Sequence, residues 1–211
     1  MNVSEIKDKS LQVFLDELAS QSPTPGGGSA AALMGAQSAA LTSMVCNLTL
    51  GKPKYAEVEN EMQALLLKSE TLRAQLTGMI QADIDVFNRL MASYALPKET
   101  EEQKSMRSLA IQKVLQEATE IPLICTQYCA QAIELSKIAA EKGNSSAVSD
   151  AGVAAMAAYS GLKSAALNVY INVSGLKDRS FADQKLAELE AITTGIDITV
   201  EEIYALVKNK L

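Results

Sequence analysis

The chain has 211 residues, of which 48% are hydrophobic and 21% are charged, and this balance excludes a disordered protein. It has no Trp and only 3 Phe, but it is rich in Ala, Leu, Glu and Lys, a composition that excludes an all-β fold and favours closely packed helices. The net charge of −6 disfavours nucleic-acid binding by phosphate neutralisation. The absence of His excludes Ser-His-Asp and Cys-His catalysis and most zinc sites.

The first half of the chain predicts three helices. Ser4 is placed to cap the first, whose apolar face contains Ile6, Leu11, Phe14, Leu15 and Leu18. This helix should end at residues 20–29, SQSPTPGGGS, where two prolines and three glycines disfavour regular structure. A second helix should end near Gly51. Pro53 suits the first position of a third, which should run to about Tyr94 with Gly78 as its bend.

The second half predicts further helices. Thr100 and Gln103 form a capping box for the fourth, and Pro122 within it predicts a kink or a short break. Gly143 and Asn144 should end that helix. Ser149 and Asp150 are expected to cap a fifth, and residues 178–211 form one helix or two, interrupted near Gly195. The expected architecture is a single all-α domain over residues 1–211, an antiparallel bundle of long helices.

The cysteines and the apolar segments indicate in which cellular compartment the protein is expected. An odd number of cysteines, 3, without a Cys-x-x-Cys pair favours a reducing compartment. The N-terminal sequence MNVSEIKDKS has no apolar core like that of a signal peptide. Residues 30–50 and 151–175 are apolar but contain amides, hydroxyls and a lysine, so buried helices fit better than membrane spans. We therefore expect a cytoplasmic protein that binds neither membrane nor nucleic acid.

The sequence PTPGGGS, residues 23–29, runs directly into a helix. A glycine-rich turn at a helix N-terminus presents unpaired N–H groups and the positive end of the helix dipole, which suits an anion. The segment lacks the Gly-Lys-Ser/Thr of a phosphate-binding Walker loop. A tight turn before a helix with a face of small residues explains the pattern equally well.

Asp83 interrupts an apolar stripe of the third predicted helix. Apolar residues precede it by 11, 7, 4 and 3 positions and follow it by 3, 4, 7 and 11, so the acid shares their face. Asp85 should face solvent. Burial would raise the pKa of Asp83 toward the range useful for proton transfer. A buried ion pair with Lys or Arg from another helix is the alternative.

A third unusual segment, residues 143–178, carries two asparagines one helical turn apart, Asn168 and Asn172, on a face of small residues. Because buried amides need hydrogen-bond partners, these side chains predict either a ligand or the backbone of a neighbouring helix or subunit. Asp150, near the start of the same segment, fits either a helix cap or a binding residue.

Four blocks occur together in the order that is typical of one family. They are PTPGGGSAAALMGAQSAALTSMVCNLTLGKPKY, LRAQLTGMIQADIDVFNRLM, LPKETEEQKSMRSLAIQ, and GNSSAVSDAGVAAM with LNVYINVSGLKD. Over roughly residues 5–180 the chain resembles the formiminotetrahydrofolate cyclodeaminase and methenyltetrahydrofolate cyclohydrolase family, as a free-standing cyclodeaminase-type domain.

The resemblance implies an all-α homodimer with a folate site at or near the subunit interface. It implies that Asp83, which precedes Phe87 as in the family's D-x-x-x-F motif, is the catalytic residue. Substrate-binding positions are implied by the matching blocks: Gly26, Gly27, Gly28, Ser29, Lys98, Asp150, Asn168 and Asn172. The chain departs from the family where Pro53 stands in place of a lysine.

The resemblance also implies the reaction. The main expectation is a formiminotetrahydrofolate cyclodeaminase, which releases ammonia while closing the ring of 5,10-methenyltetrahydrofolate. The alternative is a methenyltetrahydrofolate cyclohydrolase, which hydrolyses that ring to 10-formyltetrahydrofolate, and the non-enzymatic alternative is a helical assembly or regulatory module. The substrate would be a tetrahydrofolate derivative, with or without a polyglutamate tail, and neither reaction requires a metal.

Overall fold

Helices account for the regular structure of residues 5–211, the part of the chain that this computed structural model describes. Within that part there is no β-strand, so the all-α prediction is confirmed. The seven α-helices are α1 (Leu11–Leu18), α2 (Gly27–Thr49), α3 (Glu59–Tyr94), α4 (Glu101–Lys142), α5 (Val148–Ser174), α6 (Arg179–Thr193) and α7 (Ile196–Lys210). Three short 3-10 helices lie at Ile6–Asp8, Pro53–Val58 and Ser145–Ala147.

Helices α2 to α5 form a four-helix bundle in which neighbours in the chain run antiparallel. The Ser69 hydroxyl of α3 donates to the Ala39 carbonyl of α2, and α3 and α4 are joined at opposite ends by Glu61–Lys142 and Arg89–Glu117 ion pairs. Helix α5 closes the bundle by packing on both α4 and α2. Helices α6 and α7 pack on α4 and α5, outside the bundle. The expected antiparallel arrangement of long helices is therefore present. That residues 1–211 form a single domain stays a prediction.

The apolar core consists of two clusters that divide the bundle along its length. One cluster contains Leu76 and Ile80 of α3, and the other contains Val86 and Leu90 from the next turns of the same helix. Asp83 lies on α3 between these two sets. The polar side chain therefore marks the place where one part of the core ends and the next begins.

The N-terminal segment differs from the expected first helix. Ser10 caps α1 by accepting a hydrogen bond from the Val13 N–H, while Ser4, the expected cap, lies outside the described residues. Ile6 and Phe14 are buried, but Leu11 is 63% exposed and Leu15 is 46% exposed. The predicted apolar face was therefore only partly correct, because Ile6 belongs to a separate 3-10 helix that ends before α1 begins.

The glycine-rich segment is partly helical, which corrects the expectation that residues 20–29 are irregular. Helix α2 begins at Gly27, with Gly26 as its N-terminal cap residue in an extended conformation. The Thr24–Pro25 peptide bond is cis. The end of α2 at Thr49 agrees with the predicted stop near Gly51, whose φ of 71° is accessible to glycine.

The third helix begins later than expected. Pro53 opens a 3-10 helix, and the non-helical φ and ψ of Tyr55 (−116°, 17°) separate this turn from α3, which begins at Glu59. From there α3 is continuous through Gly78 to Tyr94, where the prediction placed its end.

Helix α4 confirms one sequence signal and excludes one of the two outcomes expected from another, whose other outcome, a kink at Pro122, stays a prediction. Thr100 and Gln103 form the predicted capping box, since each side chain accepts a backbone N–H from the other residue. The short break expected at Pro122 is absent, because α4 is continuous from Glu101 to Lys142. Pro122 has no N–H to donate to Ala118, and the Asn172 side chain donates to that carbonyl instead.

The start of α5 also differs from the prediction. Ala147 is the cap residue of α5, so Ser149 and Asp150 lie in its first turn and do not cap it. The reason is the preceding 3-10 turn, whose cap is Asn144, a side chain that accepts from the Ser146 N–H. At the C-terminus Gly195 (φ 77°) separates α6 from α7, and the predicted interruption is confirmed.

Helix α2 is long and apolar enough to cross a membrane by length and composition alone. In the bundle, 61% of its most apolar window is buried against other helices. Among residues 5–211 no second helix meets the same criterion.

The close approach of α2, α4 and α5 predicts a different tolerance for two glycines. A β-carbon at Gly161 would lie 2.9 Å from the Ala31 carbonyl oxygen and 3.1 Å from the Cys129 sulfur, whereas one at Gly78 would meet no atom within 4 Å. We expect Gly161→Ala to lower the free energy of unfolding by about 1–3 kcal/mol through overpacking. Gly78→Ala should raise it by about 0.5–1 kcal/mol through helix propensity.

Urea denaturation of the two variants checks this expectation. Equal stability of Gly161→Ala and the wild type would show that the bundle tolerates wider separation of its helices.

Candidate active site around Asp83

The N-terminus of α2 meets the middle of α3 at Asp83. The Ser29 hydroxyl donates to Asp83 Oδ2 over 2.8 Å, and its oxygen also lies 3.4 Å from the Ile80 carbonyl oxygen. Ser29 itself is fully buried. Asp83 is therefore held by a neighbouring helix and does not extend freely into solvent.

Gly28 makes this approach of the two helices possible. A β-carbon at Gly28 would overlap the Asp83 carboxylate, since it would lie only 2.6 Å from Cγ. The glycine is required by the close contact, whereas its helical position does not demand an unusual φ. At Gly28 the glycine is therefore explained by the close packing of two helices, which was one of the two explanations of the PGGGS sequence.

Two opposing effects set the protonation of Asp83. Burial among apolar groups raises the pKa of its carboxyl above the ordinary value, and this is the larger effect. Hydrogen bonds from the Ser29 hydroxyl and the Ser29 backbone N–H lower it. The net result is a raised pKa, as the sequence pattern predicted.

The sequence left two interpretations of Asp83, a group for proton transfer or one member of a buried ion pair, and its surroundings distinguish them. Its recorded partners belong to the start of α2, and within residues 5–211 no Lys or Arg forms an ion pair with it. The N-terminus of α2, which the sequence predicted to suit an anion, therefore has the carboxylate of Asp83 next to it. Asp85 is exposed and accepts a hydrogen bond from Gln81, as predicted for the opposite face.

A small cavity adjoins the carboxyl. It has about 10 Å³ of accessible space, which is about the room needed by one water molecule. All four bundle helices line it: Gly28, Ala32, Met79, Asp83, Ile121, Pro122, Cys125 and Ala165. The sequence analysis did not select the α4 members, although a proline inside an apolar helix was a signal that a special environment lies there.

The two asparagines make different contacts. Asn168 donates through Nδ2 to the Ser164 carbonyl of its own helix, over 2.9 Å. A β-carbon at Gly27 would lie 3.8 Å from Asn168 Nδ2, so this side chain faces the start of α2. Asn172 donates instead to the Ala118 carbonyl of α4, over 2.6 Å. The expected partner of Asn172 is thus a neighbouring backbone, while contacts with a ligand stay a prediction for both residues.

The other predicted binding residues lie at different distances from Asp83. Gly26, Gly27, Gly28 and Ser29 are together at the start of α2. Lys98 is exposed in the loop between α3 and α4, beyond the end of a helix that extends ~16 Å from Asp83 to Tyr94. Asp150 is near the other end of α5, ~27 Å along that helix from Asn168. Within one chain the structure does not bring Asp150 to the carboxyl.

No cluster of three or more His, Cys, Asp or Glu side chains that would suit a metal occurs among residues 5–211. The site thus offers a half-buried carboxyl with a raised pKa, hydrogen-bonded at a helix N-terminus and next to a narrow cavity. This arrangement defines a helical-bundle protein with a candidate general acid–base site.

Comparisons with known proteins place the chain more closely. A family model described as formiminotransferase-cyclodeaminase matches residues 10–191. A methenyltetrahydrofolate cyclohydrolase of Methylorubrum extorquens is 52% identical over 97% of this chain and 98% of its own length. A formimidoyltransferase-cyclodeaminase of Rattus norvegicus is 35% identical over 84% of this chain, but only 33% of that relative is covered.

A solved structure supports the same relationship. The crystal structure of formiminotetrahydrofolate cyclodeaminase from Thermotoga maritima superimposes with a TM-score of 0.82 and 30% identity, covering 98% of each chain. The chain therefore belongs to the formiminotransferase-cyclodeaminase family, which confirms the resemblance and the expectation of an enzyme family.

The hydrogen bond between Ser29 and Asp83 gives a prediction about the carboxyl. In Ser29→Ala the hydroxyl that stabilises the ionised form is lost, so the pKa of Asp83 should rise further above its ordinary value. Carbon-13 NMR of the carboxyl as a function of pH measures the change. Ser93→Ala is the matched control, because Ser93 is on the same helix and its hydroxyl donates to the Arg89 carbonyl. An unchanged Asp83 titration in Ser29→Ala would contradict this account.

Proposed function

We propose that the protein is a methenyltetrahydrofolate cyclohydrolase, which hydrolyses 5,10-methenyltetrahydrofolate to 10-formyltetrahydrofolate. The observation that carries the proposal is the relative with this activity in its name, 52% identical over almost the full length of both chains. The cyclodeaminase, our main expectation from the sequence, has weaker support because the relatives named for it are more distant. The alternative is thus favoured over that main expectation.

In the proposed reaction Asp83 acts first as a general base. Its ionised carboxylate accepts a proton from a water molecule as the water oxygen bonds to the bridging methenyl carbon. The raised pKa makes this carboxylate a stronger base than an exposed aspartate. The cavity beside it has room for one water, which suits a single nucleophile held away from bulk solvent.

Asp83 then acts as a general acid. The bond between N5 and the former bridging carbon breaks, N5 receives the proton held by Asp83, and the hydroxyl proton is released to solvent as the formyl carbonyl forms on N10. One water is consumed and one proton is released. The Ser29 hydroxyl fixes the orientation of the carboxyl through both steps, since it donates to Oδ2.

The size of the cavity determines how the substrate would bind. About 10 Å³ cannot enclose a pterin, so the substrate lies outside the bundle and presents its reacting carbon at the cavity opening. Gly28 lines this cavity, Gly26, Gly27 and Ser29 are its neighbours at the start of α2, and Asn168 faces Gly27. We assign these residues, with Asn172 through its remaining amide atoms, to substrate binding.

Lys98 is assigned to a more distant part of the ligand, as a cation for the glutamate carboxylates in a protein that is otherwise acidic. Asp150 lies ~27 Å from Asn168 along α5, so we assign it to the folate site of a second copy of the chain. This assignment requires the homodimer implied by the resemblance, with the site near the subunit interface. We also propose a cytoplasmic location, in line with the odd number of cysteines and the missing Cys-x-x-Cys pair.

The cyclodeaminase is the second candidate. It is favoured by the Thermotoga maritima structure, which carries that name and superimposes over nearly the whole chain. In that reaction N10 attacks the formimino carbon, so the proton leaves N10 and passes through Asp83 to the departing nitrogen. The same carboxyl serves both reactions, and the identity of the attacking and leaving groups distinguishes them.

Asp83→Asn tests the catalytic role. We expect kcat to fall by about 10²–10⁴-fold, because an amide cannot accept the proton. The variant should fold and should be at least as stable as the wild type at pH 7, since the native state no longer holds a buried carboxylate whose ionisation is disfavoured. Asp85→Asn is the control, two residues away and exposed. Wild-type turnover in purified Asp83→Asn would refute the assignment.

The pH dependence follows from the same group. Because the base must be ionised and its pKa is raised, kcat/KM should fall as the pH decreases through the raised value, at a higher pH than for an ordinary aspartate. Conversely, the stability difference between Asp83→Asn and the wild type should disappear below the ordinary pKa, where the carboxyl is protonated in both the folded and unfolded states.

A direct assay separates the candidates. Loss of methenyl absorbance on adding 5,10-methenyltetrahydrofolate supports the cyclohydrolase, and ammonia release from 5-formiminotetrahydrofolate supports the cyclodeaminase. A protein that converts neither, and whose melting temperature does not rise with tetrahydrofolate derivatives, would be the non-enzymatic helical module.

A further inference from the structure

Helix α4 lacks one of its own hydrogen bonds next to the candidate active site. Pro122 lies in the interior of a continuous 42-residue helix. Because proline has no N–H, it cannot donate to the carbonyl of Ala118 four residues earlier. Both residues are buried, so water is not a ready substitute. A buried carbonyl that is left without a donor destabilises the folded state, because it has lost its hydrogen bond to water and gained none in return.

The partner of this carbonyl comes from a different helix. Asn172, in the last turns of α5, donates its Nδ2 hydrogen to the Ala118 oxygen over 2.6 Å. The residues are 54 positions apart in the sequence, so only the packing of α4 against α5 brings them together. Thr126 adds a second support on the other side of the proline by donating to the Pro122 carbonyl.

The part of α4 around Pro122 forms one wall of the cavity beside Asp83, which we call the Pro122 wall. Ile121, Pro122 and Cys125 supply the α4 side, facing Gly28 and Asp83 across the narrow space. The cavity has room for about one water molecule, so even a small movement of this wall would change the number of water molecules that it holds. The position of Pro122 therefore affects the width of the cavity beside the carboxyl.

We propose that Asn172 is a positioning residue: its side-chain amide replaces the hydrogen bond that Pro122 removes from α4, and so holds the Pro122 wall against Asp83. This inference rests on the proposed function, because the wall matters for turnover only if Asp83 is the catalytic group. It gives Asn172 a role through the protein backbone, in addition to any contact with folate through its remaining atoms.

Removal of the amide provides the first part of the test. In Asn172→Ala the Ala118 carbonyl loses its partner and the wall loosens, so water reaches Asp83. We expect kcat to fall by roughly 10- to 100-fold, as for a small misplacement of a reacting group. The acid limb of the pH profile should shift to lower pH, toward that of an ordinary aspartate. Cys125 is the other titratable group of the cavity, and the remaining lining residues from α2, α3, α4 and α5 are uncharged.

A second variant separates positioning from substrate contact. Pro122→Ala restores a backbone N–H that can donate to Ala118 within α4, which makes the Asn172 amide redundant. The effect of Asn172→Ala on kcat should therefore shrink to within about twofold when it is measured in the Pro122→Ala background. Each comparison is made within one background, so any effect of Pro122→Ala itself cancels.

Asn168→Ala is the matched control in both backgrounds. Asn168 lies one turn earlier on the same helix, but its amide bonds to Ser164 and not to α4. Its effect on kcat and KM should be the same whether residue 122 is proline or alanine. Urea midpoints of the four proteins of the cycle should show the same pattern as kcat, with Asn172→Ala lowering the midpoint only beside Pro122.

The outcomes are distinct. An equal effect of Asn172→Ala on kcat in the two backgrounds overturns the proposal and leaves Asn172 with a direct substrate contact only. If the wild type converts neither folate, the proposed function fails, but the urea midpoints and the carbon-13 titration of Asp83 still report the coupling. Coupling in those two measurements supports the role of Asn172, and its absence overturns that role.

Discussion

The contact between the start of α2 and the carboxyl of Asp83 is the constraint on which the rest of the site depends. The Ser29 hydroxyl and the α2 backbone stabilise the ionised form, while the surrounding apolar groups destabilise it. Because the second effect is larger, the carboxyl has a raised pKa and is still held in one orientation. Burial without these donors would raise the pKa of the acid further, and exposure would return the pKa toward that of an ordinary aspartate.

Small residues make that contact geometrically possible. Glycines at 28, 35 and 161 stand where a β-carbon would overlap with the neighbouring helix, so the four bundle helices approach closely around the site. The same close packing leaves a cavity of only about 10 Å³. The site is thus suited to excluding bulk water at one point, and recognition of a large ligand falls to the outer surface and to the ends of the helices.

Predictions of helix ends from the sequence were accurate where residues close in the chain decide where a helix begins or ends. The Thr100–Gln103 capping box, the stop after Thr49 and the interruption at Gly195 depend on neighbouring residues and a few dihedral angles, and they were predicted. Signals that depend on distant partners were less reliable. Helix α4 is continuous at Pro122, where Asn172 from another helix donates to the freed carbonyl, and Asp150 does not cap α5 because the turn before it has its own cap.

The sequence by itself determined the all-α class, most helix ends, the family, and the presence of an acid within an apolar stripe of α3. These properties follow from composition, from the 3.6-residue period of a helix and from motifs in which the partners are close in the chain. Only the tertiary structure decided that the partner of Asp83 is the N-terminus of α2 and not a lysine or arginine, and that Asn168 and Asn172 have different hydrogen-bond partners. The physical reason is that the Ser29–Asp83 and Asn172–Ala118 hydrogen bonds each join residues 54 positions apart, whose distances depend on how the helices pack.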